Sequence, residues 1–275
     1  MTRILDHGGR TVDRVATVAS IRGLRAAGRR FAQVTAGTAE EAAAAEEAGI
    51  EMLVCMAQAV PALREGSERC FVTAAIDFGG EVTLDDLLGT ALTALSEGAD
   101  AVITARRTEA IELLAKEDIP VMAHLGFVPK KSSLLGGVRS VGKTATEAVA
   151  LWDRFREVED AGAFAVECEL IPANVMTEIR RRTSMATISL GSGPEADVVF
   201  LFTSDICGES EHRPRHARQY ADLAALHRRI AEERVRALTE FRSDVAGGAF
   251  PEDAELVVAP DTEVDELRRL LDERR

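Results

Sequence analysis

The sequence predicts an α/β fold, a (β/α)8 TIM barrel with extra C-terminal helices. Three observations predict it. Eight short apolar runs recur along residues 25–210. Most are separated by helical patterns rather than by hairpin turns. The runs are apolar almost throughout, which marks parallel strands covered on both faces. Eight such units in about 210 residues suit closure into a barrel better than an open sheet. The whole chain, residues 1–275, reads as one domain, with the barrel over about 25–210 and a helical extension over about 211–275.

The first strand is expected at RFAQVTA (30–36). A helix follows, with Thr38 as N-cap and Gly49 as the residue that stops it. The second strand is IEMLVCM (50–56) and the third CFVTAAIDF (70–78). The link between them, AQAVPALREGSER, has room for only a turn or two of helix. Thr83 opens the next helix, with Asp85 and Asp86 in its first turn, where carboxylates complement the helix dipole. DAVITA (100–105) is the fourth strand, TEAIELLAKED a helix, and IPVMAHL (119–125) the fifth strand. The long helix after it starts at Thr144, with a capping box between Thr144 and Glu147. FAVECEL (164–170) is the sixth strand, ANVMTEIRRRT a helix, MATISLGS (185–192) the seventh strand and ADVVFLFTSD (196–205) the eighth. From His212 onward the chain reads as helical, and TEVDELRRLLDERR is a last helix.

A net charge of -13 argues against nucleic acid or an anionic membrane as partner. The arginines 180–182 read as a solvated helix face. The N-terminus has no apolar signal core and no run reaches membrane-spanning length, so a cytoplasmic location is expected. Cys55, Cys70, Cys168 and Cys207 are scattered, and three lie in or beside apolar runs. Buried free thiols are expected rather than disulfides or a zinc site.

Residues 137–144, GVRSVGKT, match the phosphate-binding pattern G-x-x-x-x-G-K-[ST]. A phosphate cradle begins at the end of a strand and opens into a helix. Thr144 does open a helix, but about ten loop residues including Pro129 separate Gly137 from the fifth strand. The better reading is a long βα loop over the barrel mouth, with glycines for tight turns.

That loop and its flanks resemble ketopantoate hydroxymethyltransferase. PVMAHLGFVPKKSSLLGGVRSVGKT is similar to the family's fifth βα segment. AGAFAVECELIPANVMTEI and TISLGSGPEADVVFLFTSDICG are similar to its glutamate-bearing sixth strand and its glycine-rich seventh-strand loop. The likeness runs collinearly over roughly residues 12–210. The family belongs to the phosphoenolpyruvate mutase and isocitrate lyase superfamily of barrels, which act on 2-oxo acids and their enolates.

The resemblance implies a role for Glu169 as the base that removes a proton beside the ketone. It implies a polar hydrogen-bond role for His124, which read alone could equally be a packing histidine. Glu167 shares the face of Glu169 by the period of two, one layer deeper. The family's two magnesium aspartates follow strands two and three. Here Cys55, Met56 and Ala57 occupy the first place and Ala75 the second, with Asp77 two residues on as a weak metal candidate. The family's lysine and glutamate after strand four are matched by Ile103 and Ala105, followed by Arg106 and Arg107. Arg106 and Arg107 are candidates for binding a carboxylate, against a bland reading as solvated or ion-paired arginines. Gly191, Ser192 and Gly193 could present amides to an anion or simply form a tight turn. Lys143 is a further substrate-binding candidate.

The expected function is therefore a diverged hydroxymethyltransferase-like enzyme. It would enolise a small 2-oxo acid or related carboxylate and form a carbon–carbon bond. The resemblance implies Mg2+, methylene tetrahydrofolate as one-carbon donor, and a homo-oligomer. The alternatives are a carbon–carbon lyase of the isocitrate lyase or phosphoenolpyruvate mutase type, and a non-catalytic barrel that binds a small acid.

Overall fold

Eight parallel strands close into a barrel. They are β3 (Phe31–Thr35), β4 (Met52–Met56), β5 (Phe71–Ala75), β6 (Ala101–Thr104), β7 (Val121–Gly126), β8 (Ala165–Glu169), β9 (Ala186–Leu190) and β10 (Val198–Leu201). Each pairs in parallel with the next, and β10 pairs with β3 to complete the ring. The computed structural model describes residues 1–76, 80–210 and 212–274. Two compact units make up the chain, residues 1–221 and 222–275.

The helices start where the sequence places them. Thr38 caps α2 (Ala39–Glu47) and Thr83 caps α4 (Leu84–Ser96), each in a reciprocal box with the side chain three residues on. In the short link, a 3-10 turn leads into α3 (Val60–Gly66). Helices α5 (Thr108–Lys116), α6 (Ala145–Asp160) and α7 (Ala173–Arg180) follow β6, β7 and β8. Directly after β10 comes a short helix, α8 (Thr203–Cys207).

Alternation along the strands sorts the core into two layers. Outward residues such as Leu53, Val72, Val102 and Val166 pack against Leu87, Leu114, Phe155 and Met176 of the helices. Inward residues such as Met52, Phe71, Ile103, Met122 and Ile188 fill the barrel. Burying each of these large side chains contributes about 1.5–3 kcal/mol.

One end of the barrel is plugged. An antiparallel hairpin, β1 (Thr2–Leu5) with β2 (Thr11–Arg14), precedes the barrel and leads into α1 (Val18–Gly23). Ala16, Ile21 and Leu24 pack with Phe31, Phe71 and Phe164. Arg14 reaches Asp100 at 2.9 Å, and Arg64 meets the same carboxylate at 2.6 Å. Sequence reading missed this hairpin, because its residues are mostly exposed and carry no apolar run.

Two further expectations change. Residues 212–222 are not helical; Asp222 caps α9 (Leu223–Gly247) through its side chain, and α10 (Asp261–Asp272) ends the second unit. Arg180 is not simply solvated. It meets Asp197 at 2.8 Å, while Arg25 meets the other oxygen at 3.0 Å. Arg181 and Arg182 are exposed and pair with Glu178. The cysteines are free, with Cys55, Cys70 and Cys168 buried. No described helix is long and apolar enough to cross a membrane.

Candidate active site

The C-terminal ends of the barrel strands surround a cavity of about 580 Å3. Val54, Cys55, Met56, Ala75, Ile103 and Ala105 make one apolar wall, and Leu190, Phe200 and Phe202 another. Between them β7 and β8 bring in His124, Glu167 and Glu169.

The geometry of this trio follows from the strands. Register pairs His124 with Glu167 and Gly126 with Glu169. Residues 167 and 169 lie on one face of β8, so both carboxylates enter the barrel. His124 Nε2 lies 3.0 Å from Glu169 Oε2 and 3.8 Å from Glu167 Oε1. The imidazole therefore bonds the carboxylate nearer the mouth rather than its register partner. Gly126 permits this closeness. Its φ is +90°, and a Cβ there would fall onto the carbonyl oxygen of Glu169 and within 2.8 Å of Ile171 Cγ1. Phe127 N–H donates to that same carbonyl at 2.8 Å. Leu170, directly after Glu169, holds φ +51°, an uncommon conformation for a leucine, of the kind that clusters at functional sites.

Glu167 is almost fully buried, at 6% exposure. Burial pushes its carboxyl up; the neighbouring His124 opposes that and Glu169 adds to it. The nearby Cys55 thiol is pushed up to about 12 by burial, so it is a packing group rather than a nucleophile.

The other residues singled out in the sequence lie elsewhere. Arg106 donates to the carbonyls of Glu81 (2.8 Å) and Val82 (3.3 Å), bracing the approach to α4. Arg107 is exposed, with Glu109 at 3.7 Å. Neither lines the cavity. Ser192 is buried; its hydroxyl donates to the Cys168 carbonyl at 2.7 Å and accepts from Ile171 N–H at 2.9 Å. Gly191 and Gly193 have positive φ and sit against His216 and Ala173, so a side chain at either would clash. This turn ties β9 to the end of β8. Lys143 is exposed and its amide points to Glu147. Asp77 lies outside the described residues.

The loop at 137–144 is not a phosphate cradle. Glu147 Oε2 accepts from the amides of Gly142 (2.9 Å) and Lys143 (3.0 Å), and Thr144 Oγ1 accepts from Glu147 N–H. The helix-start amides that a phosphate would need are held by the protein's own carboxylate. Arg139 pairs with that carboxylate at 2.7 Å.

Sequence reasoning did not single out Thr35, Gly37, Glu41, Pro129, Phe202 and Ser204, which also line the cavity. Only Glu41 carried a signal, as the capping partner of Thr38. Its carboxylate accepts from Gly37 N–H at 2.6 Å.

Magnesium favours a shell of oxygen ligands in octahedral array. Among the described residues, the ends of β4 and β5 offer Cys55, Met56 and Ala75, none of them a hard oxygen donor. The family's shell is not reproduced there. The described residues that could hold a divalent ion are His124, Glu167 and Glu169, whose donor atoms lie within 4.8 Å of one another.

Comparison with known proteins adds the following. Residues 53–253 match the family model described as ketopantoate hydroxymethyltransferase. The 3-methyl-2-oxobutanoate hydroxymethyltransferase of Hyperthermus butylicus is 32% identical, over 94% of this chain and 96% of that protein. The enzyme of the same name from Thermobifida fusca is 30% identical, over 90% and 95%. Among solved structures, a phosphonopyruvate hydrolase complexed with oxalate and Mg2+ superposes with a TM-score of 0.51 at 16% identity, covering 94% of this chain and 97% of that one. A 2,3-dimethylmalate lyase, described as a member of the PEP mutase/isocitrate lyase superfamily, gives 0.50 at 16% identity, over 95% and 100%. At these identities the structural likeness speaks for the barrel fold.

Proposed function

The chain belongs to the ketopantoate hydroxymethyltransferase family, and from that membership we propose that it enolises a small 2-oxo acid at the barrel mouth and joins the resulting carbon to a one-carbon unit. The observation that carries this reading is the Glu169–His124 pair between the apolar walls of the cup. Glu169 is the base. Oε2 is held by His124, and Oε1 has no hydrogen-bond partner among the described residues, leaving it to take the proton from the carbon beside the ketone. His124 fixes the carboxylate and supplies the polar group nearest the developing enolate.

The apolar walls suit a branched alkyl substituent, and a cavity of about 580 Å3 accommodates a small 2-oxo acid. Methylene tetrahydrofolate is the proposed one-carbon donor. Both of its N–CH2 bonds break, one as the new carbon–carbon bond forms and the other as water adds its hydroxyl to the transferred carbon, and the two nitrogens take up protons to leave as tetrahydrofolate.

The test is isotope exchange without the one-carbon donor. 2-Oxoisovalerate is incubated with the protein in deuterium oxide and followed by NMR at C3. Loss of the C3 proton signal is expected. An unchanged signal at high protein concentration, with a spectrum of other branched 2-oxo acids equally unchanged, counts against the reading.

A further inference from the structure

The floor of the cup holds more acid than the proposed reaction uses. Glu167 lines the cavity, is 94% removed from solvent, and accepts no hydrogen bond from any described residue. Its nearest basic atom is His124 Nε2 at 3.8 Å. A buried carboxylate whose one basic neighbour stands beyond hydrogen-bond distance is costly, and the cost grows when a second carboxylate stands on the same strand face. Among the described residues lining the cavity there is no lysine or arginine to offset the two. A cation would offset the two acids, and one donor atom from each of His124, Glu167 and Glu169 lies within 4.8 Å of the others.

We propose that His124, Glu167 and Glu169 form a binding site for a first-row divalent transition ion of the Zn2+ or Mn2+ class, and that an ion there switches the base off. The donor set selects the class. An imidazole nitrogen with two carboxylates suits zinc, manganese or iron, whereas magnesium favours oxygen alone. The two spacings that His124 makes with the carboxylates are also suitable. With bonds of about 2.1 Å, donors 3.0 Å apart subtend about 90° at the ion and donors 3.8 Å apart about 130°, both within ordinary coordination. The site opens into the cavity, so further positions remain for water or a substrate oxygen. This site is separate from the places after β4 and β5 where the resemblance puts magnesium.

The regulatory half rests on the proposed function. An ion bound to Glu169 occupies the carboxylate that must accept the carbon-bound proton, and it replaces the His124 hydrogen bond. Occupation and proton abstraction are then exclusive.

Calorimetry separates the two halves, because binding is read without turnover. Chelator-stripped protein is titrated with Zn2+, with Mn2+, and with Mg2+ as comparison. One Zn2+ per chain is expected, with Mg2+ at least tenfold weaker. Glu167→Gln and His124→Ala should each weaken Zn2+ at least tenfold while melting like the parent. Glu41→Gln, in the same cavity but outside the trio, should stay within about twofold. Absence of Zn2+ binding, or binding indifferent to Glu167→Gln in a folded variant, overturns the site. Should the protein exchange protons from a 2-oxo acid, stoichiometric Zn2+ is expected to suppress that exchange more than tenfold. Bound Zn2+ with exchange unaltered overturns the switch while leaving the proposed function intact.

Discussion

His124 stands opposite Glu167 in the β7–β8 register but bonds Glu169, one residue pair closer to the mouth, at 3.0 Å. This offset sets the depth at which the reacting carbon must sit. It also separates the two glutamates chemically, since only Glu169 has its carboxylate oriented by a hydrogen bond.

Glu169→Gln should lower the rate of C3 exchange about a hundredfold to ten-thousandfold, the usual range for a positioned general base. His124→Phe removes one hydrogen bond to a charged group, about 1.5–3 kcal/mol, and should slow exchange roughly 10- to 150-fold. Both variants are read by NMR in deuterium oxide. Exchange at the parent rate in Glu169→Gln would remove the assigned base.

Gly126→Ala tests how the pair is positioned. The added Cβ collides with the Glu169 carbonyl, and alanine at φ +90° is strained. A loss of roughly 2–6 kcal/mol is expected from strain and overpacking together. Urea unfolding measures it, and C3 exchange should fall in the same variant because the end of β8 must shift.

Asp197 anchors β10 through Arg25, Arg180 and both the amide and hydroxyl of Thr187. Burial alone would push its carboxyl up, but the Arg25 bond, the Thr187 amide and Arg180 outweigh it and hold the group below the usual carboxylate range. Asp197→Asn should cost about 3–5 kcal/mol near neutral pH. A depressed folded-state value gives stability that is present above the unfolded value of about 4 and is lost as pH falls through the folded value. The gap between parent and variant in urea titrations should therefore narrow below about pH 4; a gap constant down to pH 2 contradicts the assignment.

The loop at 137–144 should not bind ATP. Glu147 occupies the amides of Gly142 and Lys143, and its negative charge would repel a phosphate at that place. Calorimetry with ATP and Mg2+ should show no heat of binding. A saturating isotherm would contradict the geometry.

The barrel was legible because its strands are apolar on both faces and its helices begin with Thr38, Thr83 and Thr144, each capping through its side chain. The shared face of Glu167 and Glu169 was legible too, since a period of two leaves no alternative. What could not be read was direction. Arg106 and Arg107 follow β6 directly in sequence, but Arg106 turns to the carbonyls before α4 and Arg107 to solvent. The glycine turn at 191–193 reads equally as an anion nest or a packing device, and its contacts with His216 and Ala173 arise from chain segments distant in sequence or folded back upon it. At Thr144 one half of the expected capping box forms, the hydroxyl accepting from Glu147 N–H. That glutamate reaches past the cap to Gly142 and Lys143. Such choices depend on which neighbour arrives first in space, and local pattern carries no record of that.

Ala16, Ile21 and Leu24 close the end of the barrel away from the cavity, so among the described residues the way in is through the mouth. For the proposed reaction this predicts ordered loading: the small acid, which must reach Glu169, goes in first, the bulkier one-carbon carrier follows, and departure reverses the sequence. Initial-rate kinetics should show it, with the last product to leave competing only against the first reactant to enter. A random-order pattern would contradict it.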